Sequence, residues 1–254
     1  MEKLSRREFT RNMLGSFFSM SLVATLCDAQ ALTGSVKPVA HKWLFDMERI
    51  SKDLRAGRVG VTGWQDQIEA LLAKVDMADL LKAIDYERLA RTTTLYDDHE
   101  SAEELSFAKM KGFPGELSFV PFFYGMKKGA AIVPHGHRNM TTMHMMLKGE
   151  AHGRLYNRID DEPDFLTIVP TKDKIMHVGE ASTISGKRDN IHWFKAMTEP
   201  VFMFNIGVYG LDPDSETTGR DYIDPDRGEK LGNGSIRVPR IDDKTAYRIY
   251  GRQI

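Results

Sequence analysis

The sequence contains very little cysteine: Cys27 is the only one in 254 residues. It lies in an N-terminal segment that we expect to be removed, so the mature chain would carry no thiol at all. Disulfides, cysteine nucleophiles and zinc–thiolate sites are therefore excluded as the basis of its fold or chemistry.

The chain also has almost no net charge, because 35 Lys and Arg residues nearly balance 36 Asp and Glu residues. Without an excess of one sign, no long-range field attracts nucleic acid or an anionic membrane. We therefore expect no nucleic-acid partner, and a small neutral or zwitterionic ligand rather than a polyanion.

No apolar run is long enough to span a bilayer stably. The segment from Met13 to Leu26 is too short and too rich in Ser and Gly. It follows residues 5–11 (SRREFTR), which resemble the twin-arginine export signature, and precedes a small-x-small cleavage site, Ala29-Gln30-Ala31. The resemblance implies a signal peptide over residues 1–31, export by the twin-arginine translocase, a periplasmic location and no stable membrane insertion after cleavage. A chance Arg pair on an amphipathic N-terminal helix is the alternative.

The first part of the remaining chain has a helical pattern. From His41 to about Arg91, apolar residues recur at spacings of three and four: Trp64, Ile68, Leu71, Leu72, Val75, Leu80, Leu81, Ile84 and Leu89. We predict two or three amphipathic helices, with Gly60 and Gly63 in a connection, and a helical N-terminal segment over residues 32–112.

Short apolar runs separated by turn residues follow from residue 113. They are Leu117 to Tyr124, Ala131 to Val133, Thr142 to Leu147, Ala151 to Arg158, Phe165 to Val169, Ile175 to Val178, Ser182 to Ile184, Ile191 to Ala196 and Val201 to Val208. Nine strands at this spacing predict an antiparallel sandwich or barrel over residues 113–210. The tail, residues 211–254, is predicted to be mostly irregular, with a short helix around Lys244 to Tyr250, and to pack on the barrel as an extension.

The strand-rich half holds six of the eight histidines: His135, His137, His144, His152, His177 and His192. Residues two apart on a strand point the same way, so His135 and His137 can present both imidazoles to one face. A metal chelate needs this geometry, but two histidines on a solvated face would have the same spacing.

The glycines around this pair resemble the first motif of the cupins. Gly129 precedes His135 by six positions and Gly149 follows His137 by twelve, while Thr142 occupies the motif's glutamate position. In that motif the glycines make turns at the ends of two adjacent strands, and the ligands lie on their inner faces.

Cupins without the glutamate include the thiol dioxygenases. Met140-Thr141, placed between the histidines and Gly149, resembles the cysteamine dioxygenase and plant cysteine oxidase group. Residues 190–196 (NIHWFKA) resemble the Asn-Ile-His-x-Phe-x-Ala segment of the same group, and the likeness covers about Phe119 to Tyr209.

This resemblance implies an all-β, cupin (jelly-roll) barrel preceded by the helical segment, with His135, His137 and His192 as metal ligands. Three neutral imidazoles leave coordination positions open and suit Fe(II), with Zn or Mn as alternatives. The implied function is that of an exported mononuclear non-haem iron dioxygenase acting on a small thiol or similar molecule with dioxygen. A binding cupin without turnover, and a Zn or Mn isomerase or hydrolase, are the other interpretations.

Two further residues are candidates for catalysis. His144 lies two positions beyond Thr142 and should face the barrel interior, as a pocket acid–base or as a buried structural histidine. Where mammalian-type cysteine dioxygenases carry a His and a Tyr, this chain has Asn205 and Gly207, with Tyr209 two residues further on.

The remaining residues near the motifs have more ordinary interpretations. No arginine lies on the strand from Leu117 to Tyr124, where those enzymes bind a substrate carboxylate, so a ligand without a carboxylate is easier to accommodate. His152 and His177 are predicted to be surface or structural residues. Trp193 and Phe194 point to opposite faces of their strand, so only one of them can line a pocket with Met146. The three methionines of the preceding motif are predicted to fill gaps in the core: Met143, Met145 and Met146.

Overall fold

The computed structural model describes residues 38–107, 112–215 and 217–252, which all belong to one unit, Val36–Ile254. The predicted signal peptide, with Cys27, lies outside the described residues. None of the helices in the described part is long and apolar enough to cross a membrane.

In the part of the chain that the structure describes, the first elements are four helices: α1 (Pro38–Arg55), α2 (Val61–Leu72), α3 (Met77–Ala83) and α4 (Tyr86–Thr92). The helical pattern predicted from His41 to about Arg91 is confirmed, but it forms four helices rather than the two or three predicted. Gly60 precedes α2, but Gly63 lies in its first turn rather than in the connection. The Asp76 side chain accepts a hydrogen bond from the Asp79 amide (3.1 Å) and so caps the start of α3.

Twelve strands follow in the described residues, and they form two antiparallel sheets. The five-stranded sheet has the order β1 (Ser101–Glu104), β2 (Val120–Met126), β9 (Val201–Tyr209), β4 (Met140–Lys148) and β7 (Ala181–Ile184). The seven-stranded sheet has the order β10 (Gly219–Tyr222), β3 (Ala131–Arg138), β8 (Ile191–Ala196), β5 (Ala151–Asp161), β6 (Phe165–Met176), β12 (Ile236–Pro239) and β11 (Glu229–Lys230).

Side-chain alternation divides the five-stranded sheet into two faces. Met143 and Met145 on β4, with Phe202 and Phe204 on β9, join the apolar cluster formed with the helices. Met146 is on the opposite face of β4, in the cluster that joins the two sheets. The sheet therefore has helices on one side and the seven-stranded sheet on the other, and the predicted packing role of all three methionines is confirmed.

The strand predictions are wrong in three places. β1 lies inside the segment predicted to be helical. Phe165 to Val169 and Ile175 to Val178 were predicted as two strands, but they belong to the single strand β6, whose exposed middle (residues 171–174) has no apolar signal. The tail, predicted to be mostly irregular, contributes β10, β11 and β12 to the larger sheet.

The C-terminal helix is close to its predicted position. It consists of α5 (Asp243–Ala246) followed by a π-helical turn (Tyr247–Gly251). Ala246 and Tyr250 pack against Val133 and Trp193, on the outer face of the β3–β8 pair. The two sheets face each other, and among the described residues no strand pairing joins them, so the mostly β architecture is confirmed but the jelly-roll barrel is not.

Candidate metal centre

Two neighbouring strands bring the three predicted ligands together. In the antiparallel pairing of β3 with β8, His135 lies directly opposite His192, and His137 is on the same face two residues along. The ring centroids of His135 and His137 lie 4.2 and 4.8 Å from that of His192. One ring nitrogen from each residue lies within 4.8 Å of the other two. In residues 38–107, 112–215 and 217–252 this is the one cluster of three or more such side chains that can hold a metal ion.

The ring nitrogens of the first two histidines are arranged as an ion would require. His135 donates its Nδ1–H to the Val133 carbonyl (2.8 Å), which leaves the lone pair of the neutral ring on Nε2. That Nε2 lies 3.3 Å from Nε2 of His137. Because metal–imidazole bonds are about 2.0–2.1 Å long, two nitrogens on one ion are about 3.0–3.4 Å apart. The observed spacing therefore fits two ligands of a single ion.

Burial keeps the three imidazoles neutral. Their exposed fractions are 0% for His135, 2% for His137 and 1% for His192. Burial is the main cause that holds their pKa values well below the ordinary 6.5, and the nearby Arg220 guanidinium lowers them further. A neutral imidazole is the form that binds a metal, so no proton has to leave these ligands at neutral pH.

The donor set consists of three nitrogens and no carboxylate among the described residues. Such a set fits a divalent ion that retains open positions, as Fe(II) and Zn(II) both do. Thr142, at the glutamate position of the cupin motif, is buried on β4 in the facing sheet.

The facing sheet presents polar groups to the three histidines. The His144 ring lies 5.1 Å from that of His192, and Asn205 is its cross-strand neighbour on β9. Thr142 Oγ1, His144 Nδ1 and Asn205 Oδ1 are buried, and none has a hydrogen-bond partner in the described part of the chain. Buried polar atoms normally have partners, so these three atoms indicate a place for water or a ligand between the sheets.

His144 is thus buried beside the three histidines, as alternation predicts. Burial, with a contribution from Arg220, lowers its pKa to about 3. A pKa this low keeps His144 neutral at physiological pH, so its ring is a hydrogen-bonding group rather than a strong base.

Tyr209 fills space left by a glycine. A Cβ added at Gly207 would collide with the Tyr209 hydroxyl and ring, so the tyrosine side chain folds back over position 207. Gly207 lies opposite Thr142 in the β4–β9 pairing, on the face turned to the other sheet. The ring consequently occupies the place that a side chain at 207 would take. Burial is the main cause that raises the Tyr209 pKa, so the phenol keeps its proton.

Only one of the two β8 aromatics is near the histidines. Phe194 lies between the sheets, with its ring 5.1 Å from His144 and 5.4 Å from His192. Trp193 points outward and packs against Tyr250 (4.9 Å) under the Arg154 guanidinium (4.6 Å). Phe194 therefore provides the apolar wall.

The other two histidines of this half are on the surface. His152 pairs with Asp173, and His177 lies 3.2 Å from Glu150.

The motif glycines both have positive φ, +88° at Gly129 and +75° at Gly149. At Gly149 a Cβ would lie only 2.7 Å from the Pro200 carbonyl, so glycine is required there.

Sequence reasoning missed one residue of the site, Arg220. It lies on β10, directly opposite His137 of β3, and affects the pKa of all four buried histidines. The alternation of Arg220 with Tyr222 was a weak strand signal, and nothing local indicated that this strand pairs beside His137.

No protein-family model matches the sequence, and no curated protein matches it. Solved structures resemble part of the fold. Procruciferin, an 11S globulin from Brassica napus, is 16% identical over 37% of this chain, with a TM-score of 0.31. A recombinant oxalate oxidase in complex with glycolate is 17% identical over 50% of this chain, with a TM-score of 0.35.

A cupin superfamily protein from Desulfitobacterium hafniense is 12% identical over 48% of this chain and 87% of its own, with a TM-score of 0.32. The match spans 21% of procruciferin and 56% of oxalate oxidase, which is less than two thirds of either chain. At TM-scores below 0.5, these likenesses establish neither a family nor a function.

Proposed function

We propose that this chain is a cupin-type, mononuclear non-haem iron dioxygenase that acts on a small thiol or similar small molecule. The observation that carries the proposal is the cluster of three buried, neutral histidines without a carboxylate. The resemblance of residues 119–209 to the thiol dioxygenases supports iron over zinc or manganese, because the ligands alone fit all three.

In this proposal His135, His137 and His192 hold the ion from the seven-stranded sheet. When bound, Fe(II) would supply open coordination positions and the electrons required for chemistry with dioxygen. Phe194 excludes water from one side of the site. His144 stays neutral and offers its buried Nδ1 to the substrate as a hydrogen-bonding group, and Tyr209 on β9 keeps its phenol proton.

The experiment is metal analysis of protein loaded with Fe(II) without oxygen, followed by oxygen uptake with a panel of small thiols. We expect about one iron per chain and thiol-dependent oxygen consumption. His152→Ala, which removes a surface histidine, should match the unchanged protein in both measurements. A folded protein that takes up no iron would contradict the proposal.

A second candidate is a Zn or Mn isomerase or hydrolase in which His144 is the general base. The buried Nδ1 of His144, without a partner among the described residues, favours it. Here we expect turnover without oxygen consumption, and its loss in His144→Gln. A binding cupin without turnover would keep its ligand affinity in the same variant.

Export by the twin-arginine route to the periplasm is a separate proposal, supported by residues 5–11 and 29–31 of the sequence. The double variant Arg6→Lys, Arg7→Lys should remain in the cytoplasm as uncleaved chain, whereas Lys3→Arg should be exported and shortened normally. Equal export of both variants would count against the twin-arginine translocase as a partner.

A further inference from the structure

A surface cavity of about 530 Å³ lies between the loop that follows α4 and the C-terminal helical turn. Its volume is within the range of about 300–1,000 Å³ that is usual for small-molecule sites. Seven residues line it: Leu95, Tyr96, Asp97, Asp98, Tyr247, Arg248 and Arg252. None of them belongs to the three-histidine cluster or to the polar groups that face it.

The two walls of this cavity carry opposite charges. The loop provides the carboxylates of Asp97 and Asp98, which we call the acidic wall, and the C-terminal turn provides the guanidiniums of Arg248 and Arg252, which we call the arginine wall. Among the described residues no ion pair joins the acidic wall to the arginine wall, because both aspartates pair elsewhere. Two positive and two negative side chains thus line one space without contacting each other.

Each carboxylate of the acidic wall uses only one oxygen for its partner. Asp97 Oδ1 accepts a hydrogen bond from Lys127 Nζ (2.9 Å), and Asp98 Oδ1 lies 2.6 Å from His99 Nδ1. Lys127 is the main cause that lowers the Asp97 pKa, and Arg252 lowers it further, so Asp97 is a carboxylate at neutral pH. In the described part of the chain both Oδ2 atoms remain available to a donor.

The arginine wall has no carboxylate partner among the described residues. Arg248 and Arg252 are both exposed, and Nη2 of Arg248 lies 3.5 Å from Thr245 Oγ1, at the limit of a hydrogen bond. A guanidinium presents five N–H donors in a planar fork, and this fork matches the two oxygens of a carboxylate. The arginine wall is therefore suited to a carboxylate that comes from a ligand.

Backbone contacts hold the two walls in a fixed relation. A Cβ added at Gly251 would lie 2.5 Å from the Asp98 carbonyl oxygen, so the helical turn and the loop touch at this point. Arg252 also forms an isolated bridge with Ala130, which fixes its backbone. The opposite charges therefore face each other across a defined gap.

The cavity also has an aromatic surface. The Tyr96 ring stacks on His99 (centroids 4.3 Å apart, 14° between the planes), and His99 meets the Tyr247 ring edge-on (6.2 Å). Tyr96 nevertheless stays 37% exposed, which is unusual for a large side chain in this protein. An exposed ring beside charged groups offers an apolar contact to the body of a ligand.

We propose that this cavity binds a small zwitterion with an apolar body, of which a free amino acid with a large side chain is the simplest example. Its carboxylate pairs with the arginine wall, its ammonium group with the acidic wall, and its apolar body with the Tyr96 ring. A ligand with both charges matches both walls, whereas a simple anion is repelled by the two carboxylates and a simple cation by the two guanidiniums. This binding is independent of the metal and of the proposed dioxygenase activity.

The test compares phenylalanine with three compounds that each lack one of its features. They are 3-phenylpropionate, without the ammonium group, phenethylamine, without the carboxylate, and alanine, without the ring. Binding is measured by calorimetry at neutral pH on the full chain without metal, so that no amino acid coordinates an ion at the three histidines. We expect phenylalanine to bind at least about fivefold more tightly than each of the others, because each lacks one contact.

Variants of the two walls should separate the two charged groups of the ligand. Arg248→Gln should weaken phenylalanine and 3-phenylpropionate by about fivefold and leave phenethylamine unchanged. Asp98→Asn should weaken phenylalanine and phenethylamine and should not weaken 3-phenylpropionate. Arg91→Gln is the matched control: Arg91 is exposed on α4 and does not line the cavity, so all four affinities should stay the same.

Several results would overturn the inference. Equal affinities for phenylalanine and 3-phenylpropionate would make the cavity a simple anion site, and no binding of phenylalanine at millimolar concentration would exclude a zwitterion site. Unchanged phenylalanine binding in both wall variants would place the ligand elsewhere on the molecule. Equal weakening of all four compounds in Arg248→Gln, with lower thermal stability, would give the arginine a structural role instead. None of these results changes the metal content, so they are distinguishable from a failure of the proposed function.

Discussion

At the scale of single residues, the site depends on three imidazoles, none of which can be replaced by a neighbour. No carboxylate lies within reach of the same ion among the described residues. A ligand lost from a set of three leaves an ion held by only two nitrogens.

We therefore expect His135→Ala, His137→Ala and His192→Ala each to weaken metal binding by more than about a hundredfold. Metal content after gel filtration should fall from about one ion per chain to near zero. His152→Ala should retain its metal, because that side chain is on the surface paired with Asp173. Full retention by any of the three site variants would exclude that histidine as a ligand.

A second residue-scale prediction concerns the place of Tyr209. Gly207→Ala puts a methyl group where the Tyr209 ring now lies, so the ring must move. We expect a stability cost of about 1–3 kcal/mol for this overpacking. The rate of oxygen uptake should also fall, by at least as much as it falls in the variant Tyr209→Phe.

Gly186→Ala is the matched control, because a Cβ there meets no atom within 4 Å. Urea unfolding and oxygen uptake measure the two effects. Unchanged stability in Gly207→Ala would mean that the ring is not packed against position 207.

At the scale of elements, α2 is tied to the five-stranded sheet by one buried polar side chain. Gln65 Nε2 donates to Thr183 Oγ1 of β7 (3.3 Å), and its Oε1 accepts from Ser185 Oγ (2.8 Å). Gln65→Leu removes both hydrogen bonds. Thr183 keeps its bond to Glu69, but the Ser185 hydroxyl loses its acceptor, which should cost about 1–3 kcal/mol of unfolding free energy.

The matched variant is Gln67→Leu, since Gln67 is exposed on the same helix. Its unfolding free energy, measured with urea, should change by less than about 0.5 kcal/mol. Equal effects of the two substitutions would show that the Gln65 contacts contribute nothing specific to helix docking.

Elements with a strong apolar pattern could be predicted from the sequence, and those without it could not. The β4 and β9 strands alternate between two buried faces, so their apolar runs are unbroken and easily found. The middle of β6 is exposed and charged, and β10 is four residues without a buried member, so periodicity gives no signal for either. The same distinction explains why the histidines could be predicted and Arg220 could not. Spacing within one strand places His135 beside His137. Arg220 comes beside His137 only through the pairing of β10 with β3, which are far apart in the sequence.

At the scale of the whole molecule, four buried histidines make the metal-free protein sensitive to acid. The pKa values of His135, His137, His144 and His192 are lowered in the folded state, chiefly by burial. Below about pH 6.5 the unfolded chain therefore binds protons that the folded chain does not, and stability is lost as the pH falls.

The expected slope is up to about 1.4 kcal/mol per pH unit for each histidine in the range below pH 6.5. Urea unfolding of the metal-free protein at pH 7.5, 6.5 and 5.5 measures it. His144→Asn should reduce the slope by about one such contribution. An unfolding free energy that stays constant over this range would show that the four histidines are not buried as a neutral group.

The position of β10 has a consequence for biosynthesis. The ribosome makes the three candidate ligands first and Arg220 only 28 residues after His192. A nascent chain that has released β8 therefore still has β3 as an uncovered sheet edge. Residues near 220 must leave the exit tunnel before that edge is paired and Arg220 is in place beside His137. The space between the sheets is thus completed late in translation. An ion that reached the three histidines earlier would meet an incomplete site that is open to solvent.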